Sequence, residues 1–329
     1  MRLKKEYVIL AVVIIVSGLY LAFHNTDSTH YRLPELIEID GKGISKLEIK
    51  KADETIILNK KDSSWYIVPK DYPVDTDKMN NMLDVVERLT VTALVSESKS
   101  YIRYGLNDEK KIAVKAWNGD KLIREFEIGK VAATNRHTNI LLKDDPNVYH
   151  AKENFRRNFD QGIEELRDME VLSFEPDDIH KISFIRDKKI SAITKIEKEI
   201  SPDGPFRDEK TGPVWQTAEG NEVDDAKLNR LLATLSKLKC KKYINDTSKN
   251  SFKDPVYVLS VNGIREYNLS IFAESDKDAE KYPAISSENA YPFLLSGSQV
   301  DNMKTTMEDI LKSQGKGSSP PDSLANSPG

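Results

Sequence analysis

Five histidines, one cysteine and many carboxylates are the residues of this chain that could carry chemistry. His24, His30, His137, His150 and His180 are scattered. No His-Glu-x-x-His run and no close His/Asp cluster occurs, so a metal site has no support in the sequence. His137, in the loop Thr134-Asn-Arg-His-Thr138, is the one to watch; its plainer reading is a solvated loop residue. Cys240 cannot form an internal disulfide or a cysteine-based zinc site. At the end of an amphipathic helix it reads as a small, partly buried side chain. Asp144-Asp145 and Asp177-Asp178 pair the residue type that glycoside hydrolysis uses. Adjacent in sequence and next to Pro146 or Pro176, they read as turns. No Gly-x-Ser-x-Gly elbow, Walker A loop or Gly-x-Gly-x-x-Gly is present, so nothing announces acyl transfer or a nucleotide site. Gly129 to Thr138 with Arg136, followed by Phe155-Arg156-Arg157-Asn158-Phe159, mixes basic and aromatic residues that could hold an anionic glycan, a lipid headgroup or a partner. The plainer reading is a loop and an amphipathic helix whose Phe155, Phe159, Ile163 and Leu166 face a core. The sequence nominates no catalytic, cofactor-binding or metal-ligating residue and no cofactor, and points away from an enzyme.

What could position such residues begins with composition. The chain has 329 residues, room for about two domains. Apolar residues are 39% and charged residues 31%, which suits solvated domains rather than many membrane spans. A net charge of −4 gives no general attraction to phosphate backbones, so no nucleic-acid partner is expected.

Residues 7–23, YVILAVVIIVSGLYLAF, carry no charge. As a helix they reach roughly 25 Å, enough to cross a thin bilayer. Arg2, Lys4 and Lys5 precede the run, and only Arg32 follows closely. The positive-inside rule then places residues 1–6 in the cytoplasm and the bulk of the chain outside the inner membrane, periplasmic or extracytoplasmic. The run ends Leu-Tyr-Leu-Ala-Phe-His, a poor cleavage site, so an uncleaved single-pass anchor is expected.

The soluble part repeats itself. Val74-Asp-Thr-Asp-Lys-Met-Asn-Asn-Met-Leu83 matches Val223-Asp-Asp-Ala-Lys-Leu-Asn-Arg-Leu-Leu232 at five of ten positions. Met79, Met82, Leu83, Val86 and Leu89 fall on one helical face, as do Leu228, Leu231, Leu232, Leu235 and Leu238. Asp75 and Asp224 stand where N-caps would, and the valine before each can staple the helix start. Strand-like runs ending in a tryptophan precede each helix. Hairpin pairs follow, turning at Asn118-Gly119-Asp120 and Asn262-Gly263. A closing helix is expected in each copy, at about Lys152 to Leu172 and Ser298 to Leu311. The predicted class is α+β, two tandem copies of a mainly antiparallel sheet-plus-helices unit. The expected layout is anchor 7–23, tether 24–40, first repeat 41–172, second repeat 173–313 and disordered tail 314–329. Glu199 to Gly212 is expected as a loop of the second copy.

Several motifs, in order, resemble one family: Ser64-Trp65-Tyr66-Ile67, Tyr72-Pro73-Val74-Asp75, Tyr104-Gly105-Leu106, Glu127-Ile128-Gly129, Val148-Tyr149, and Glu165-Leu166-Arg167-Asp168 before Val171-Leu172. Together they look like the bacterial domain of unknown function 4340, over roughly residues 60–175 and more loosely beyond. The resemblance implies an N-terminal membrane helix, a large external part, and genes often beside those for ABC-transporter subunits and gliding-motility-like proteins. It carries over no catalytic residue. The expected function is a membrane-anchored interaction or scaffold module of an ABC-transporter-linked or envelope complex. The alternative is a periplasmic enzyme or ligand binder acting on envelope glycan or lipid at a cleft between the repeats.

Overall fold

The computed structural model describes residues 5–23, 31–197, 213–245, 247–274 and 280–312. The tether's residues 24–30, the loop 199–212 and the tail 314–329 lie outside the described residues. Helix α1 spans Lys5–Phe23. The apolar side chains described in it, from Leu10 to Tyr20, are all exposed. Among the described residues no helix is long and apolar enough to cross a membrane.

The rest forms two compact units, divided between Asp168 and Met169. The first begins with strands β1 (Lys46–Lys50), β2 (Thr55–Lys61), β3 (Ser64–Val68) and β4 (Tyr72–Pro73). Helix α2 (Thr76–Arg88) follows, then β5 (Val91–Ser96), β6 (Ile112–Asn118), β7 (Lys121–Val131), β8 (His137–Leu142) and β9 (Val148–Lys152). Two four-residue helices, α3 (Arg156–Phe159) and α4 (Ile163–Leu166), close it. The nine strands make one antiparallel sheet in the order β4-β3-β2-β1-β6-β7-β8-β9-β5. Alternation builds it: in β1 and β3 every second side chain is buried.

Helix α2 starts as its sequence dictates. The Asp75 carboxylate accepts from the Lys78 amide at 3.1 Å. Val74 and Met79 are both buried, the arrangement of a hydrophobic staple. Met79, Met82 and Val86 form its buried face. On the sheet's other face a smaller core gathers Leu106, Leu141 and Val148 under Tyr101 and Tyr104.

The second unit has β10 (Glu170–Ser173), β11 (Lys181–Arg186), β12 (Lys189–Glu197), β13 (Pro213–Thr217), α5 (Asp225–Leu235), β14 (Lys237–Lys239) and β15 (Lys242–Tyr243). Then come β16 (Tyr257–Asn262), β17 (Glu266–Ile271), β18 (Lys281–Ser286), β19 (Phe293–Ser296) and α6 (Gly297–Lys312). Its antiparallel sheet runs β13-β12-β11-β16-β17-β18-β19-β15, with β10 and β14 as a separate pair. Asp224 caps α5, accepting from the amides of Ala226 and Lys227. Leu228, Leu231, Leu232 and Leu235 join Val300, Met303, Met307 and Ile310 of α6 in one core.

The fold is α+β with antiparallel sheets. Two local expectations are corrected. Residues 152–172 are not one helix. Gly162, at φ −84° and ψ 173°, is extended and accepts no helical continuation from α3; it starts α4, and Arg167 leaves the helix extended again. Leu238 lies not on the helix but in β14, where it is still buried. Because β10 pairs with β14, residues 169–172 belong to the second unit.

Candidate functional site

The motif residues most open to a functional reading are spent on holding backbone, at two places in the first unit. The first joins Tyr72-Pro73-Val74-Asp75 to Leu166-Arg167-Asp168. The Asp168 amide donates to the Pro73 carbonyl and the Asp75 amide to the Leu166 carbonyl, both at 2.9 Å. Val74 and Arg167 form an antiparallel bridge. Arg167, 1% exposed, lays its guanidinium 3.7 Å from the Tyr72 ring centroid and pairs with Glu164 at 3.3 Å. Stacking on an aromatic face lets a delocalised cation be buried at tolerable cost.

The second place is a bulge in β7 between Ile128 and Val131. Gly129 sits there because a Cβ would lie 2.4 Å from the Tyr104 carbonyl oxygen. Gly105, across from it, takes φ +65°, a conformation glycine adopts without strain. A bulge leaves carbonyls off the ladder. Arg156 donates to those of Ile128 (3.2 Å) and Gly129 (3.0 Å), and also to Lys110 (2.8 Å). Buried Asn139 donates to Lys130 at 2.7 Å. Arg156, whose neighbourhood the sequence marks as a possible anion binder, is thus a structural clamp.

The remaining candidates are dispersed, with one exception. His137 and His150, on neighbouring strands, stack with ring centroids 5.4 Å apart. Burial first, and His137 second, hold the His150 pKa below the ordinary imidazole value. Thr134 Oγ1 lies 3.5 Å from His137 Nδ1. His180 is exposed in the loop before β11, and Arg136 is exposed. Asp145 accepts from Tyr149 Oη at 2.8 Å and from the Asn147 amide at 2.9 Å, as a turn residue does. Asp177 and Asp178 lie in a 3-10 turn. Cys240 is buried, its Sγ 3.7 Å from Met169 Sδ. His24 and His30 lie outside the described residues. Among the described residues no group of three His, Cys, Asp or Glu could hold a metal ion.

The sequence reading passes over two groups. Arg124 is 7% exposed and donates to the Ile37 carbonyl, while its Nε has no hydrogen-bond partner among the described residues; burial lowers its pKa. Glu87, at the end of α2, has its pKa raised, first by burial and then by Asp84. Alternation of β7 could have exposed Arg124, since it shares the inward face with Phe126 and Ile128. Nothing local marks Glu87.

A cavity of about 640 Å³ opens in the first unit between Lys51, Gly105, Lys110, Lys130 and Arg156. Three of its five lining cations have carboxylate partners: Lys51 pairs with Glu54 at 2.9 Å, Lys111 with Asp108 at 2.8 Å and Glu127 at 2.9 Å, and Arg156 with Asp160 at 3.2 Å.

No curated protein and no solved structure matches the chain. A family does. Residues 65–255, more than half of the sequence, match the family described as Domain of unknown function (DUF4340), and the chain belongs to that family.

Proposed function

We propose that this chain is a membrane-anchored, extracytoplasmic scaffold built from two copies of one α+β unit, serving an ABC-transporter-linked or cell-envelope complex. The observation that carries the reading is where the candidate residues are spent. Arg156 and Asn139 hold carbonyls at the β7 bulge, Gly129 admits the Tyr104 carbonyl, and Arg167 is buried against Tyr72, rather than converging on an open site. Such a frame suits a protein whose work is to present surfaces. The uncharged run at 7–23 supplies the anchor in this reading, bound to the bilayer with the N-terminus in the cytoplasm. Two sheets that follow the same course support the duplication: β3-β2-β1-β6-β7-β8-β9-β5 and β13-β12-β11-β16-β17-β18-β19-β15. Each has a capped helix between the two end strands of that course, β3 and β5 or β13 and β15, opened by Val74-Asp75 or Val223-Asp224.

The test is crosslinking in intact membranes, followed by capture of this chain. Recovery of the same transporter or envelope subunits in stoichiometric amounts supports the scaffold. Repeated recovery of this chain alone, or its release by a high-salt wash without detergent, refutes it.

A further inference from the structure

The two units differ just ahead of their first sheet strands, a comparison that rests on reading them as copies. Glu35-Leu-Ile-Glu-Ile-Asp40 sets against Glu170-Val-Leu-Ser-Phe-Glu175 without a gap, and the same setting puts Ile44 on Ile179 and Lys46 on Lys181. One backbone bond occupies the matching place in both. Ile39 donates to the Glu87 carbonyl and Phe174 to that of Ser236, each at 3.3 Å.

Beyond that bond they part. In the second unit the segment is β10, with Leu172 opposite Leu238 and Ser173 opposite Lys237. Val171 and Leu172 are buried. In the first unit residues 35–38 form no strand, and Ile37, the counterpart of Leu172, is 86% exposed. Where the ladder would run there is a cavity of about 440 Å³. Leu36 and Glu38 border it on one side, and Arg88, Leu89 and Thr90 on the other. Those three are the counterparts of β14.

The two places also differ in charge. Glu38 and Asp40 approach Asp84 and Glu87 of α2, whereas their counterparts Ser173, Glu175, Ala233 and Ser236 include one carboxylate. The Glu87 carboxyl lies against Gly41, where a Cβ would be 1.3 Å from Oε1. Burial, Asp84, Asp40 and Glu38 all raise its pKa, and only Arg88 opposes them. Arg88 itself is drawn to Asp84 at 3.0 Å. Lys42 and Lys60 face Glu87 across a neighbouring cavity, and Lys152 and Glu153 stand at the end of β9 on the first cavity's wall. Carboxylates crowded at half-exposed positions repel one another. Arg124 meanwhile ties the Ile37 carbonyl.

We propose that Glu35–Glu38 is an acid-gated strap: as the Glu87 carboxylate is neutralised, it closes onto Arg88–Thr90 as an antiparallel strand. The register is that of β10 on β14, placing Ile37 opposite Leu89 and filling the cavity. Closure brings Glu38 beside the end of α2, so it is favoured as pH falls through the pKa of Glu87 and lost as pH rises.

The test is residue-resolved amide hydrogen exchange on the full chain at about pH 5 and about pH 7.5, corrected for intrinsic rates. Protection over residues 35–38 and 88–90 is expected to rise about tenfold at the lower pH. In the double variant Glu38→Ser, Glu87→Ser, which carries the second unit's residues, protection is expected at both. Native protection in β6 and β7 shows that the variant folds. No rise in the parent and none in the variant overturns the strap, and leaves the shared strand order standing. Acid-dependent protection in another register overturns both the strap as stated and the duplication from which its register comes.

Discussion

Arg167→Ala should destabilise the first unit by about 3 kcal/mol. The guanidinium is buried, so its stacking on Tyr72 is desolvated and contributes about 1–2 kcal/mol. Removing the buried stem leaves a cavity that costs about 1–2 kcal/mol. The ion pair adds little, about 0.5 kcal/mol, because the Glu164 carboxylate is 44% exposed and needs no partner other than water. Part of this is offset because a cation need no longer be desolvated. For a unit of this size the loss shifts the melting temperature by about 6–12 °C. Trp65 and Trp117 belong to the first unit and Trp215 to the second. Fluorescence-detected unfolding in a Trp215→Phe background therefore follows the first unit by itself. Glu164→Gln should cost under about 1 kcal/mol. Arg167→Lys should recover only part of the loss, since an ammonium cannot stack as a plane. Melting of Arg167→Ala within about 2 °C of the parent would refute the reasoning. So would a loss for Glu164→Gln as large as for Arg167→Ala, since the ion pair and not the stacking would then hold the joint.

Asp75→Ala and Asp224→Ala should each cost about 1 kcal/mol, each visible only in its own unit's transition in urea. Gly129→Ala should cost about 2–3 kcal/mol, because the new methyl meets the Tyr104 carbonyl. Gly119→Ala, in open space at φ +56°, should cost about 1 kcal/mol, and the comparison by thermal melting separates close approach from backbone strain. The depressed His150 pKa means that the unfolded chain binds more protons there. This histidine's contribution is therefore present above the unfolded imidazole value and lost as pH falls from that value through the lower folded one. His150→Asn should flatten that part of the acid limb in pH-dependent urea melts.

Much of the scaffold was legible because strands and caps are local. Alternation marks β1, β2, β6 and β7, and Val-Asp ahead of an apolar stripe marks α2 and α5. The closing helix of the first unit misled because Phe155, Phe159, Ile163 and Leu166 recur at helical spacing, while the fold instead breaks the run at Gly162 and spends Arg167 on Tyr72. Strand β5 was hidden directly behind α2, and Leu238 continued a helical stripe into β14. The bulge at Gly129 was beyond reach for another reason. Tyr104-Gly105-Leu106 crosses the sheet's second face, and no periodicity within either segment records that they touch.

The position of β1 within its sheet has a mechanical consequence. Five residue pairs join it to β2 and five more to β6. A pull on the chain from the side of its first helix thus loads the middle of a nine-stranded sheet rather than an edge, and both ladders must give before β1 can be drawn out. Strand β11 occupies the same inner place in its own sheet, between β12 and β16. A tension arriving from the first helix thus meets a doubly clamped strand first in the first unit, whereas in the second unit β10, paired only with β14, precedes β11 along the chain.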